Sequence, residues 1–222
     1  MGGCDIFITG GSGHVGSRLI PRLLERGHHV RTLVRPGSER KIAPGAQAVP
    51  GDALNPGYAR EIPPCDTFVH LVGVAHRSRA TESDLRSLDL ATTRVAIAAA
   101  LAAQVRNFIY VSVAQPAPVM KAYQQVRAEC EEAIRVSGLN ATILQPWYVL
   151  GPGRQWPYLL LPLYGLMYVL PATRKTARRL GLVTVDEMAL AIANAIETPC
   201  FGVRTFRVTD IRLAGLDTAR GR

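Results

Sequence analysis

The sequence is poor in the features that mark several protein classes. It has four cysteines in 222 residues (Cys4, Cys65, Cys130 and Cys200), far apart, with no C-x-x-C pair and no histidine at metal-ligand spacing. That argues against a zinc site and a disulfide framework, and reads as free thiols in a reducing, cytoplasmic compartment. No basic region or cleavage site precedes the apolar run that begins at Ile6, so no signal peptide is expected. Nor is an integral membrane span expected, since the apolar stretch Tyr158–Pro171 has only 14 residues and is interrupted by Pro162 and Gly165. It reads as a buried segment lining a pocket, or as a flap for a lipid-like substrate or a membrane surface. Carboxylates are also few, 17 against 26 basic residues, for a net charge of +9. The basic residues are nearly all arginine and spread along the chain; the densest stretch is Arg174-Lys175-Thr176-Ala177-Arg178-Arg179. No nucleic-acid partner is expected, and the charge acts as a field favouring anionic ligands.

What is present is an ordinary folding composition, 48% hydrophobic and 19% charged, in a chain long enough for one sizeable core. Short β-rich runs alternate with helical patterns. Strands are expected at Cys4–Thr9, His29–Val34, Gln47–Pro50, Thr67–Val72, Asn107–Val113 and Asn140–Leu144. Helices are expected at Val15–Arg26, Glu82–Val105 and Val119–Ser137. Continuous apolar strands alternating with helices predict an α/β fold, a doubly wound parallel sheet of the Rossmann type. After Pro146 the rhythm changes to a Pro-, Gly- and aromatic-rich stretch, then a helix at Val185–Ile196 and a last strand at Thr205–Thr209. Residues 1–145 thus read as a dinucleotide-binding core. Residues 146–222 read as a small substrate region with a closing helix and strand, packed as one domain with the core, in a monomer or homodimer.

Gly10, Gly13 and Gly16, with Ser12, His14 and Val15 between them, follow the first strand and open the first helix. Such a loop turns tightly, admits a pyrophosphate against bare backbone and packs helix against strand. The helix N-terminus adds free N–H groups and partial positive charge for the phosphates. The end of the second strand selects the nucleotide. An acidic residue there would hold the adenine-ribose hydroxyls of NAD. This chain has Arg35, 19 residues after Gly16, with no carboxylate before Glu39. A guanidinium pairs with a 2′-phosphate, so NADP is expected over NAD, with Arg31 or Ser38 able to assist.

In combination these motifs resemble the short-chain dehydrogenase/reductase superfamily, in its extended and atypical branches of epimerase-like and NmrA-like proteins. The resemblance runs from Cys4 to Thr209. It implies that Asp52, beside Ala53 after the third strand, meets the adenine amino group, and that Leu71, Val72 and Gly73 pass the cofactor ribose. It implies that the segment carrying Pro146, Tyr148 and Val149 borders the nicotinamide. It also implies catalytic roles for Ser112 at the end of the fifth strand, for Tyr123, and for Arg127 where the family has lysine. Tyr123 and Arg127 are four residues apart and share one helical face. A tyrosine exchanges protons near neutral pH only when positive charge lowers its pKa of about 10, and Arg127 supplies the charge while still able to reach ribose hydroxyls. Asp89 stands about where the family often has asparagine, and no role is expected of it. Lys121, projecting from a different side of the helix, is a poor substitute for Arg127. His28 and His29 read as solvated, His70 as a satisfied core histidine, and His76 as a candidate substrate contact.

The function expected is an NADP-preferring oxidoreductase or epimerase-like enzyme acting on a small, apolar carbonyl or hydroxyl substrate. The alternative is a non-catalytic NAD(P)-binding sensor or accessory protein, NmrA-like, which would not need lysine at position 127. Arg154, Arg174 and Arg178 are the basic residues that a nucleotide-sugar substrate would use.

Overall fold

A computed structural model describes residues 2–73, 81–152 and 179–220. The expectations placed on His76, on residues 158–171 and on Arg154, Arg174 and Arg178 lie outside these. The described elements are β1 (Asp5–Thr9), α1 (Gly16–Glu25), β2 (His29–Val34), β3 (Gln47–Pro50), β4 (Thr67–His70) and α2 (Glu82–Leu85). A π-helical turn (Arg86–Leu90) joins α2 to α3 (Ala91–Ala102), followed by β5 (Asn107–Val111), α4 (Lys121–Val136) and β6 (Ala141–Gln145). The chain then forms β7 (Tyr148–Leu150), β8 (Leu182–Thr184), α5 (Val185–Glu197), β9 (Val203–Arg207) and α6 (Val208–Arg220).

Seven strands form one parallel sheet in the order β3-β2-β1-β4-β5-β6-β9. The strands are apolar at successive positions because both faces are covered, and alternate side chains feed different cores. Ile6, Ile8, Val69, Ile109 and Leu144 pack under α1 and α5. Phe7, Phe68, Phe108 and Ile143 point the other way, toward α3 and α4. Three of these rings, Phe7, Phe68 and Phe108, run across the sheet at centroid spacings of 5.3 and 5.5 Å.

Local chemistry ends and starts the helices. Gly27, at φ +79°, closes α1, with Gly27 N–H donating to Leu24 O and His28 N–H to Leu23 O. Helix α5 opens on a capping box: Glu187 N–H donates to Thr184 Oγ1 while the Glu187 carboxylate accepts from Thr184 N–H.

Several expectations need correction. The helix expected over Glu82–Val105 is interrupted by the π turn and ends at Ala102. The last strand begins two residues early, at Val203, and α6 follows it directly. Asp210 starts that helix by accepting from Arg207 N–H, and Val208 and Ile211 bury its inner face at helical spacing. The two-stranded parallel pair β7–β8 was not expected, and neither strand is longer than three residues. His28 is 6% exposed rather than solvated, because Nδ1 accepts from Cys4 N–H and Nε2 lies 3.3 Å from Glu197. His29 is exposed, as expected. Among the described residues no helix is long and apolar enough to cross a membrane, and no metal-binding cluster of His, Cys, Asp or Glu occurs.

Candidate functional site

Strand register places Thr9, Val34, His70 and Val111 at the carboxyl edge of the sheet, where the loops after β1, β2, β3 and β4 converge. Chain order reverses about β1, whose neighbours are β2 and β4, and such a switch point opens a crevice. A groove of about 380 Å³ lies there.

The glycine loop forms one wall. Gly10 has φ +82°, and a Cβ there would lie 2.9 Å from the backbone of Leu71 and Val72. The loop is folded tight by Gly13 N–H donating to Gly10 O, and Ser17 N–H then donates to Gly13 O as α1 begins. At Gly16 a Cβ would meet Gly11 O at 2.4 Å, so a glycine lets the helix start against the strand end. Bare backbone at Gly10 and Gly13, at the mouth of a helix, fits a pyrophosphate.

Of the residues predicted to hold a cofactor, Gly10, Ser12, Gly13, Arg35, Asp52, Ala53, Leu71, Val72 and Gly73 line the groove. His14, Val15, Gly16, Pro146, Tyr148 and Val149 lie outside that lining. Val15 and Gly16 already belong to the helix start. His14 turns its ring beneath Gly151 and Val185, since a Cβ on Gly151 would meet both side chains. Pro146 is buried, its carbonyl accepting from Ala114 N–H, and Tyr148 and Val149 pair with β8.

At the end of β2, Arg35, Ser38 and Lys41 all border the groove. The Glu39 carboxylate accepts from Gly37 N–H within its own loop. Among the described lining residues Asp52 carries the one carboxylate, and it accepts from Leu54 N–H. Arg31 does not assist. It points back toward the opposite end of the sheet, donating to Gln47 Oε1 and Pro64 O and lying 3.6 Å from Asp5. Lys41 was missed by the sequence reading; its signal is the basic pair Arg40-Lys41, five and six residues after Arg35.

Helix α4 carries Tyr123 and Arg127. Its entry is clamped by Gln124, whose amide accepts from Ala117 N–H and donates to Ala117 O and Val119 O. Tyr123 is half-buried, and Arg127 Nε donates to its hydroxyl across 3.1 Å. Arg127 is itself only 4% exposed. Its Nη1 donates to Tyr110 Oη at 2.8 Å and to Val111 O at 3.1 Å, and Nη2 lies 3.1 Å from Asp89 Oδ2. Burial disfavours the guanidinium charge, but the oxygens of Tyr110 and Tyr123 and the Asp89 carboxylate outweigh it, and its pKa is raised further. The Nε–H and Nη1–H groups of Arg127, which was expected to reach ribose hydroxyls, are committed to protein acceptors. Asp89, expected to have no role, is its fully buried ion partner. A carboxylate in the middle of an alanine-rich helix was the signal.

Ser112, for which the resemblance implies a catalytic role, is bound to a carboxylate on α4. It is 5% exposed, and its hydroxyl donates to Glu131 Oε1. The same carboxylate accepts from Gln115, Gln145 and Arg135. Glu131 is thus a buried hub joining α4 to the ends of β5 and β6. His70, expected as a satisfied core histidine, is hydrogen-bonded to Thr9 Oγ1 through Nδ1, while buried Nε2 has no hydrogen-bond partner among the described residues. Burial, and then the charge of Arg127, lower its pKa from 6.5 to about 3.

Comparison with known proteins agrees with this geometry. A family model described as NAD(P)H-binding matches residues 10–155. Ceramide reductase of Caulobacter vibrioides is 27% identical over 213 residues, covering 95% of this chain and 66% of that protein. Photosystem II assembly factor Ycf39 of Cyanophora paradoxa is 28% identical over 151 residues, 64% of this chain and 44% of that protein. The chain thus spans less than two thirds of the length of these relatives. The crystal structure of the Bordetella bronchiseptica enzyme WbmH in complex with NAD+ superposes with a TM-score of 0.69 at 18% identity, covering 92% of this chain and 75% of that one. The UDP-glucose 4-epimerase of Thermotoga maritima shares the fold as well, with a TM-score of 0.67 at 19% identity.

Proposed function

The chain belongs to the NAD(P)H-binding family, and on that premise we propose that it is an NADP-preferring oxidoreductase or epimerase-like enzyme acting on an apolar carbonyl or hydroxyl substrate. The observation that carries the chemistry is the Tyr123 hydroxyl held at 3.1 Å by the Nε–H of Arg127, whose guanidinium rests against the groove residue Gly73. When bound, the nicotinamide cofactor supplies or accepts the hydride at the substrate carbon. Tyr123 takes the proton of a substrate hydroxyl as general base, or returns it to a carbonyl oxygen as general acid. Arg127 stabilises the phenolate by a charge-assisted hydrogen bond. Ser112, tied to Glu131, positions the β5 end rather than touching substrate.

Preference for NADP is supported by Arg35, Ser38 and Lys41 grouped at the end of β2, where a 2′-phosphate would lie. Asp52 suits the adenine amino group. An apolar substrate is supported by the relation to a ceramide reductase. The free thiols of the four cysteines fit a cytoplasmic location.

Fluorescence titration should show NADPH binding more tightly than NADH. In a turnover screen against ketones and secondary alcohols, Tyr123→Phe should lower the rate about 10²–10⁴-fold with cofactor affinity nearly unchanged. Equal affinity for the two cofactors sinks the NADP assignment, and turnover that survives Tyr123→Phe sinks the mechanism. A second reading, a cofactor-binding accessory protein, is favoured by the burial of Arg127, whose N–H groups serve the protein. It is supported by the relation to an assembly factor, and it predicts NADP(H) binding without turnover.

A further inference from the structure

Charges are arranged differently at the two edges of the sheet. At the amino edge Arg26 meets Glu197, Arg31 meets Asp5 and Arg106 meets Asp66. At the carboxyl edge, in the loop after β2, Arg35, Arg40 and Lys41 have no carboxylate within ion-pair distance among the described residues. Glu39 stands between them in sequence, yet its carboxylate turns to the backbone and accepts from Gly37 N–H at 3.0 Å.

The local turn accounts for this. Ser38 N–H donates to Arg35 O and closes Arg35-Pro36-Gly37-Ser38 into a four-residue turn. Pro36 at its second position and Gly37 at its third, with φ +82°, are the residues that a type II turn favours. Lys41 N–H then donates to Ser38 O as the short 3₁₀ turn Glu39–Lys41 forms. Gly37 N–H, in the middle of the first turn, finds its acceptor in the Glu39 side chain, and a Cβ added at Gly37 would meet nothing within 4 Å. Both ends of that turn, Arg35 and Ser38, line the groove, as does Lys41. The carboxylate is thus an anion already seated on a backbone donor of a basic loop, where an external anion would otherwise bind.

We propose that Glu39 is a specificity-determining residue that opposes NADP: its carboxylate occupies the Gly37 N–H open to a 2′-phosphate and sets a like charge beside it. Arg35, Ser38 and Lys41 attract the 2′-phosphate, Glu39 limits that preference, and the uncharged ribose hydroxyl of NAD is little affected. This role rests on a 2′-phosphate lying at the end of β2, as proposed above.

The test uses the full chain and two probes, adenosine 2′,5′-bisphosphate and adenosine 5′-monophosphate, which differ only in the 2′ group. Glu39 is exposed, so its replacement does not endanger folding, and Glu39→Gln keeps an oxygen for Gly37 N–H while removing the charge. By titration calorimetry this variant should bind the bisphosphate about three- to tenfold more tightly than wild type, the scale of a like-charge repulsion near the surface. Its affinity for the monophosphate should be unchanged, and the gain should shrink as salt is raised. Equal binding of the bisphosphate by variant and wild type, with wild type still preferring it to the monophosphate, overturns the proposal and leaves the NADP reading standing. A gain shared equally by both probes also overturns it, since the carboxylate then acts on the 5′-phosphate. Equal affinity of wild type for the two probes overturns the NADP reading and the role of Glu39 with it.

Discussion

Ser112 Oγ donates to Glu131 Oε1 across 2.5 Å, joining the end of β5 to the middle of α4. The carboxylate is 2% exposed and also accepts from Gln115, Gln145 and Arg135. The bond gives the serine, for which the resemblance implied a catalytic hydroxyl, a buried structural partner on α4.

Glu131→Gln should therefore destabilise the protein by about 1–3 kcal/mol, since an amide offers N–H donors to partners that are themselves donors. Ser112→Ala should cost about 1 kcal/mol and reduce any turnover far less than Tyr123→Phe does. Urea unfolding of both variants, with turnover measured alongside, checks this. A Ser112→Ala enzyme as inactive as Tyr123→Phe would restore the catalytic role.

Arg35→Ala should weaken NADPH binding by about tenfold or more, the scale of one lost charge-assisted contact, and leave NADH binding almost unaltered. Lys41→Ala should act in the same direction with a smaller effect, since an ammonium makes no bidentate contact. Titrations with both cofactors at one fixed ionic strength provide the comparison.

His70 should make the fold acid-sensitive. Its pKa is lowered to about 3 in the native state by burial and by Arg127. The unfolded chain, with an ordinary histidine pKa near 6.5, binds the proton more readily. Its stabilising effect is fully present above pH 6.5 and is lost as pH falls toward 3, by at most about 1.4 kcal/mol per pH unit. His70→Asn, which keeps a polar atom toward Thr9, should unfold with a shallower pH dependence across that window. Parallel stability curves for the two proteins would remove His70 as the cause.

Gly73→Ala should damage the site without touching the glycine loop. A methyl there would meet Arg127 Nη2, so the guanidinium must move from Asp89 or the 71–73 backbone must withdraw into the groove. NADPH affinity should fall, read by fluorescence titration. Gly10→Ala should abolish cofactor binding and also lower stability by about 1–3 kcal/mol, because φ is +82° there and the Leu71 backbone is 2.9 Å from the added carbon.

The parallel sheet and the groove were legible because both depend on local chemistry. The runs around Ile6–Ile8 and Phe68–Val69 are apolar at successive positions, which demands burial on both faces, and glycines at 10, 13 and 16 constrain backbone whatever surrounds them. Arg35 could be placed because a strand end and its loop are close in sequence. The short pair β7–β8 and helix α6 were less visible, since strands of three residues have too little periodicity to register.

The amino acids alone thus determined the architecture, the glycine loop and the basic end of β2. Tertiary structure decided which polar side chains answer one another: Asp89 with Arg127, Ser112 with Glu131, His28 with Cys4 and Glu197. Such pairings join residues on separate elements. A buried charge or hydroxyl takes its partner from whatever packing brings within reach, and that is not encoded in the spacing along the chain.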